Sequence, residues 1–242
     1  MSLQRIDRAW AEFFGLPPSD FMRPGVQVVA HRQLADYQGA WLFRHHTSLC
    51  VSVPPELVDS TRALVCGGTV ESVFGETAIR GLWGPRVERI VGPVYQGYVE
   101  PTHFRLAARP GVRALSRGDR AALQQLADAC EADAWEHAGI AADEQHVFGC
   151  FVDDRLIAAA RYRPEWDETA HIGVVTHPAY RGHGHGRAVV SMATAQALDA
   201  GFVALYQTLL ANAPSVALAS RLGYRPYATH LAVRLAPPGP AS

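Results

Sequence analysis

The segment from Thr169 to Ala200 has the pattern of a β-strand, a glycine-rich turn and an apolar helix in direct succession. The strand is "TAHIGVVT", the turn is "HPAYRGHGHG" and the helix is "RAVVSMATAQALDA". Glycines stand at alternate positions 182, 184 and 186, where a side chain would keep an anion away from the backbone N–H groups. The start of a helix adds partial positive charge. This succession predicts a phosphate-binding turn in an α/β fold.

Other interpretations of the turn agree less well with the residues. A Walker loop requires Gly-Lys-Ser/Thr, and the chain contains no lysine. A dinucleotide fingerprint requires Gly or Ala where this chain has Arg187 or Val189. His177, His183 and His185 could bind a metal, but a flexible turn holds ligands poorly, so no metal is expected. An ordinary solvated loop stays open as an alternative.

Composition excludes several classes of protein. Hydrophobic residues make up 48% of 242, which is enough for a sizeable core. The formal net charge of −1 argues against nucleic acid or a membrane as a partner. The four cysteines form no CxxC pair, so buried free thiols are expected. With no signal-like or membrane-spanning segment in the sequence, a cytoplasmic protein is predicted.

Two regions are predicted, with a boundary in "LAARPGVRAL", at residues 110 and 111. Residues 1–110 form an N-terminal α/β region with four strands (26–32, 40–45, 49–53 and 87–92) and a helix over 55–65. Residues 111–242 alternate strands and helices. The predicted strands are 112–115, 146–152, 156–163, 169–176, 202–209 and 227–235, and the predicted helices are 116–139, 187–200 and 214–222.

The segment "VVTHPAYRGHGHGRAVV" resembles the acetyl-CoA-binding motif of the GNAT superfamily of N-acetyltransferases. That motif is a strand and a proline followed by Arg/Gln-x-x-Gly-x-Gly/Ala, which residues 181–186 match at every fixed position. The later segment "LANAPSVALASRLGYRPY" is similar to the family's second motif at Asn212, Ser215, Gly223 and Tyr224. The resemblance runs from about Val112 to Leu235. It implies a twisted mixed sheet flanked by helices, with the N-terminal region as an accessory half that can be interpreted as a degenerate copy of the fold.

The resemblance also implies how acetyl-CoA is bound as co-substrate. Two strands, 169–176 and 202–209, would splay apart to admit the pantetheine arm. The cofactor-binding residues implied are the strand residues Val174, Val175 and Thr176, the turn residues Arg181, Gly182, His183, Gly184, His185, Gly186 and Arg187, and the second-motif residues Asn212 and Ser215.

The catalytic residues are less well matched. The family's usual carboxylate base falls near Ala170, and its usual tyrosine acid falls at Ala219. Glu168 is two residues before Ala170 on the same strand face, which makes it the candidate base, with His171 as second choice. Tyr206 and Tyr224 are possible replacements for the acid.

The resemblance implies an acyl-CoA-dependent N-acetyltransferase whose acceptor is an amine of a small molecule or peptide. The two substitutions by alanine favour an alternative, a non-catalytic acyl-CoA-binding sensor or interaction module. A hydroxyl acceptor or a longer acyl chain also stays open, as do a monomer and a homodimer.

Overall fold

The computed structural model describes residues 4–34, 36–141, 145–166 and 168–236. The α-helices are α1 (Gln4–Phe14), α2 (Pro18–Phe21), α3 (Val58–Val65), α4 (Val70–Val73), α5 (Glu76–Trp83), α6 (Arg120–Asp128), α7 (Ala132–Ala138), α8 (His185–Asp199) and α9 (Ala213–Arg221). The strands are β1 (Gly25–Ala30), β2 (Gly39–His45), β3 (Ser48–Val53), β4 (Val87–Val99), β5 (Val112–Ala114), β6 (Val147–Val152), β7 (Arg155–Pro164), β8 (Thr169–Thr176), β9 (Val203–Leu209) and β10 (Arg225–Leu235).

The chain divides into two compact units. Of the described residues, unit 1 contains those within 4–96, 208–212 and 227–236, and unit 2 contains those within 97–207 and 213–226. The last strand, β10, therefore lies almost wholly in unit 1, although the sequence placed it with the C-terminal region. The predicted domain boundary at 110 and 111 remains a prediction.

Unit 1 is built around a mixed sheet with the strand order β1-β3-β2-β10-β4. β1 is parallel to β3, and β2 is antiparallel to both β3 and β10. Alternation along β2 sends Ala40 and Leu42 to one face and Phe43 and His45 to the other. The first face packs with α3 and α5 residues in a hydrophobic core, and the second meets the aromatic side chains of α1, including Trp10.

Unit 2 contains the sheet that carries the glycine-rich turn, in the order β9-β8-β7-β6-β5. The strands from β5 to β8 are antiparallel neighbours, and β9 is parallel to β8. Val175 on β8 packs with Leu126 of α6 and Ala138 of α7. Because successive side chains alternate, Val174 and Thr176 point to the opposite face, where α8 begins. Helices thus cover both faces of a mixed sheet, as the sequence predicted.

The single helix predicted over 116–139 is wrong. The chain forms α6 and α7 with a break between them, because Glu131 has an extended backbone conformation (ψ 137°). Helices α1 and α5 were not predicted at all, although each buries an apolar stripe that includes Trp10 and Ile79 respectively.

All four cysteines are free thiols, as expected, but they are not all buried. Cys50 and Cys150 lie in the core, Cys130 is half-buried and Cys66 is exposed. In the described part of the chain, no helix is long and apolar enough to cross a membrane.

Candidate functional site

The most distinctive feature of unit 2 is a parallel ladder that stops halfway along β8. β7 pairs with β8 from Ala170 to Thr176, so one edge of β8 is fully occupied. On the other edge, the register with β9 covers only 169–172 against 203–206. The described register gives Gly173, Val174, Val175 and Thr176 no β9 partner, although β8 runs on to Thr176. The two strands therefore part where the sequence resemblance implies a slot.

The glycine-rich turn lies directly beyond this open edge. His177 caps a short 3₁₀ turn over 178–180, and α8 begins at His185. Gly182 and Gly184 have φ values of +80° and +82°, which residues with a Cβ rarely adopt. The first N–H groups of an α-helix have no partner inside the helix. The turn therefore presents backbone donors and the positive end of α8 at the end of the open edge.

Gly186 also has a packing role that the sequence did not indicate, and its predicted contact with phosphate remains a prediction. A Cβ at this position would lie 2.8 Å from Thr176 Oγ1, so the missing side chain lets the first turn of α8 approach β8. The contact is a packing requirement of the strand and helix, independent of any phosphate.

Arg181 is already engaged by a carboxylate. Its guanidinium donates to both carboxylate oxygens of Glu131, at 2.5 and 3.2 Å, and its Nε donates to the Thr176 carbonyl at 3.2 Å. Glu131 lies at the start of α7, and the arginine holds the pKa of its carboxyl below the usual range. The positive charge of Arg181 is thus balanced, whereas Arg187 is exposed on the first turn of α8.

The three histidines of the turn have separate partners. His177 Nε2 lies 2.9 Å from an Arg155 nitrogen, His183 Nδ1 lies 2.8 Å from the Arg181 carbonyl, and His185 Nδ1 lies 3.5 Å from Cys150 Sγ. Among the described residues, no group of three or more His, Cys, Asp or Glu is placed to hold a metal ion.

Glu168 immediately precedes β8 and is half-buried. Its carbonyl accepts from the Val203 N–H at 2.7 Å, which joins the start of β8 to the start of β9. The candidate base is therefore at the paired end of the two strands, four residues before the last paired position, Ile172.

His171 lies within a polar cluster that the sequence did not indicate. The buried Arg161 guanidinium donates to the His171 carbonyl at 3.1 Å and to the Gly139 carbonyl at 2.8 Å. Burial, followed by the nearby Arg161 and Arg163, lowers the pKa of His171 to about 4. Burial also raises the pKa of Glu165, whose carboxylate lies 4.0 Å from His171 Nδ1. The one available signal was an arginine inside the apolar run "LIAAARYR".

The second motif places its residues in different surroundings. The Ser215 hydroxyl is 2.9 Å from the Tyr206 hydroxyl, and Tyr206 is the last β9 residue paired with β8. Burial raises the pKa of Tyr206. Tyr224 is a core residue whose hydroxyl is 2.7 Å from Thr194 Oγ1. Asn212 directly precedes α9 and belongs to unit 1, where its N–H donates to the Leu209 carbonyl.

The comparisons with known proteins agree with this geometry. A family model for the acetyltransferase (GNAT) family matches residues 114–224. These residues are a GNAT acetyltransferase domain. The GNAT domain contains the glycine-rich turn, the open edge of β8 and most of the second motif.

One solved structure extends the likeness in fold beyond the GNAT domain. A GNAT-family acetyltransferase from Colwellia psychrerythraea is 16% identical, with 98% of each chain covered and a TM-score of 0.56, which shows a common fold over nearly the whole chain. A GNAT-family protein from Novosphingobium aromaticivorans is 26% identical over 61% of this chain and 66% of that one, with a TM-score of 0.49. A GCN5-related N-acetyltransferase from Kribbella flavida is 26% identical over 62% and 60%, with a TM-score of 0.45. The comparison with curated proteins finds no match.

The residues of the GNAT domain fit the family's co-substrate, acetyl-CoA. At Gly182 a Cβ would meet no protein atom within 4 Å, so the space over the turn is open to a ligand. Val174, Val175 and Thr176 provide the unpaired strand edge, and the turn provides backbone donors. The domain therefore belongs to a class of acetyl-CoA-dependent acetyltransferases.

Proposed function

We propose that the protein transfers the acetyl group of acetyl-CoA to an amine of a small molecule or peptide. The observation that supports this most directly is the end of the β8–β9 ladder at Ile172, next to the glycine-rich turn. An open strand edge can hydrogen-bond the amides of a pantetheine arm as if they belonged to another strand. Acetyl-CoA supplies a thioester, which is the acyl group that an amine can attack.

In this proposal the cofactor-binding residues are those implied by the sequence. Gly182, His183, Gly184, His185 and Gly186 hold phosphate through backbone N–H groups, with Arg187 beside them. Arg181 contributes by fixing the turn to Glu131 and to β8 rather than by free positive charge. Asn212 and Ser215 remain proposed contacts to the cofactor arm.

An amine must lose a proton before it can attack, since an alkylammonium has a pKa near ~10.4. Glu168 is the proposed base because it is half-buried and directly precedes β8. His171 is the second candidate. With its pKa lowered to about 4, it is neutral at pH 7 and can accept a hydrogen bond, but it is a weak proton acceptor.

The leaving thiolate has no tyrosine donor at position 219, where a buried alanine stands. Tyr206 is the proposed replacement, because its hydroxyl is held by Ser215 at the point where β8 and β9 part. Tyr224 is a weaker candidate because its hydroxyl is committed to Thr194 in the core. A reducing cytoplasmic location belongs to the same proposal and is suggested by the four unpaired cysteines.

The alternative is a non-catalytic acyl-CoA sensor, which the buried Ala170 and Ala219 favour. The two functions are separated by incubating the purified protein with acetyl-CoA and a panel of primary amines. Release of free thiol must be matched by acetylated amine in the mass spectrum. Turnover with at least one amine supports the enzyme, whereas tight acetyl-CoA binding without thiol release for any amine supports the sensor.

A further inference from the structure

We propose that Arg109, which precedes the GNAT domain in the chain, binds a phosphate of acetyl-CoA above the glycine-rich turn. The inference rests on the proposed function and adds a binding residue that lies outside both sequence motifs. The guanidinium Nη1 of Arg109 donates to the His183 carbonyl at 2.6 Å, and the two residues are 74 positions apart in the chain. A Cβ on Gly184 would lie 3.6 Å from the same nitrogen.

Two anchors hold the segment that carries Arg109. On one side, the Ala107 N–H donates to the buried Ser191 hydroxyl of α8 at 2.8 Å. On the other side, the Gly111 carbonyl accepts from the Phe151 N–H at 2.9 Å, and a Cβ on Gly111 would clash with the Phe151 carbonyl oxygen. Arg109 thus lies between a contact to α8 and a contact to β6, and its side chain reaches the turn that precedes α8.

The charge balance of the turn favours Arg109 over Arg181 as the phosphate-binding arginine. Arg181 is paired with both oxygens of Glu131. For Arg109, the only side-chain hydrogen bond recorded in the described part of the chain is the one to the His183 carbonyl, which leaves further N–H donors of its fork available. A guanidinium with free donors matches phosphate oxygens well. Arg109 also acts on the turn electrostatically, since after burial it is the next cause of the lowered pKa of His185.

The test measures the affinity of the full chain for acetyl-CoA by calorimetry. Arg109→Gln should weaken binding at least fivefold, because a charge-assisted contact to phosphate is lost. Arg117→Gln is the matched control. Arg117 is also exposed. The first residue of β5, Val112, pairs with Cys150, whose Sγ contacts His185 in the turn. The strand then runs away from Cys150 toward Arg117, so Arg117 lies farther along the chain from the turn. This control should change affinity less than twofold.

Acetyl-pantetheine, which ends before the phosphates, separates a phosphate contact from a structural effect. Arg109→Gln and the wild type should bind acetyl-pantetheine equally. If Arg109→Gln instead lowers the affinity for acetyl-pantetheine as much as the affinity for acetyl-CoA, Arg109 only shapes the turn and the proposal is overturned. Dephospho-acetyl-CoA, which lacks the 3′-phosphate, then identifies the phosphate that Arg109 binds. If Arg109→Gln still binds this ligand more weakly than the wild type does, Arg109 binds the pyrophosphate; if the two proteins bind it equally, Arg109 binds the 3′-phosphate.

Two failures are distinguishable. If the wild type does not bind acetyl-CoA, the proposed function itself fails. If the wild type binds and Arg109→Gln binds as tightly as Arg117→Gln, only the role of Arg109 is refuted. Arg109→Lys, which keeps the charge but not the planar fork, should fall between the wild type and Arg109→Gln.

Discussion

Gly184 combines two constraints at one residue. Its φ of +82° favours glycine, and its position directly before α8 places it in the turn proposed to hold phosphate. Gly201 has a similar φ of +90° at the other end of α8, where nothing approaches within 4 Å of a Cβ. A substitution at either glycine strains the backbone, but only Gly184 is proposed to take part in ligand binding. Comparing variants at the two positions therefore separates the two effects.

Gly184→Ala should weaken acetyl-CoA binding at least tenfold, or about 1.4 kcal/mol, because the new Cβ shifts the turn and narrows the approach to its N–H groups. Because both glycines have a positive φ, Gly201→Ala should lower the free energy of unfolding about as much as Gly184→Ala does, but it should leave the affinity for acetyl-CoA unchanged. Calorimetric titration and thermal unfolding of both variants provide the measurement. Equal affinity for acetyl-CoA in the two variants would refute the assignment of the turn.

Glu168 can be tested through the pH dependence of the rate. Glu168→Gln keeps the shape of the side chain but cannot accept a proton, so the rate should fall most at low pH, where the amine is charged. At high pH the free amine needs no base, and the difference from the wild type should shrink. Steady-state kinetics from pH 6 to pH 10 measure this, with acetyl-CoA affinity as the control. A pH profile identical to that of the wild type would move the base to another residue, with His171→Gln as the next variant.

Among the elements, β8 was predicted with its observed bounds because one strand, one turn and one helix follow each other locally in the sequence. The break between α6 and α7 was not predictable in the same way. It depends on Glu131 adopting an extended conformation and pairing with Arg181, 50 residues later. The role of Arg109 was also not predictable from the sequence, because only folding brings this residue next to the turn.

The close approach of α8 to β8 gives a prediction for these two elements. Gly186→Ala should destabilise the protein by about 1–3 kcal/mol, because the new Cβ would lie 2.8 Å from the stiff Thr176 side chain. Thr176→Ala removes the opposing Oγ1, so the double variant should recover much of that loss. Chemical unfolding of the two single variants and the double variant measures the coupling. Strictly additive losses would mean that the two positions do not press on each other.

Histidines whose pKa is lowered in the folded chain link stability to pH, and the lowering is largest at three of the described residues. Burial is the first cause that lowers the pKa of His45, His171 and His230, each to about 4. In the unfolded chain a histidine binds its proton near pH 6.5. Between pH 6.5 and about 4 the unfolded state therefore holds more protons than the folded state, so stability falls as pH falls.

The expected loss in this range is up to ~1.4 kcal/mol per pH unit for each histidine. His230→Phe should reduce the slope by one histidine's share, because its ring is stacked on Phe43 and its buried Nδ1 has no hydrogen-bond partner in the described residues. The free energy of unfolding, measured in denaturant at pH 7, 6 and 5, provides the check. An unchanged slope in His230→Phe would show that this ring titrates normally in the folded state.

Because the pairing of β8 with β9 ends at Ile172, the amide hydrogens of β8 should exchange with solvent at different rates along the strand. Alternate N–H groups of a strand point to opposite neighbours. From Gly173 to Thr176, those directed at β7 are covered by a complete ladder, whereas those directed at the β9 side have no strand partner in the described register. In the free protein, protection should therefore alternate along these four residues between slow and fast deuterium uptake. Saturating acetyl-CoA should slow the fast positions selectively, because the pantetheine arm would replace the missing strand.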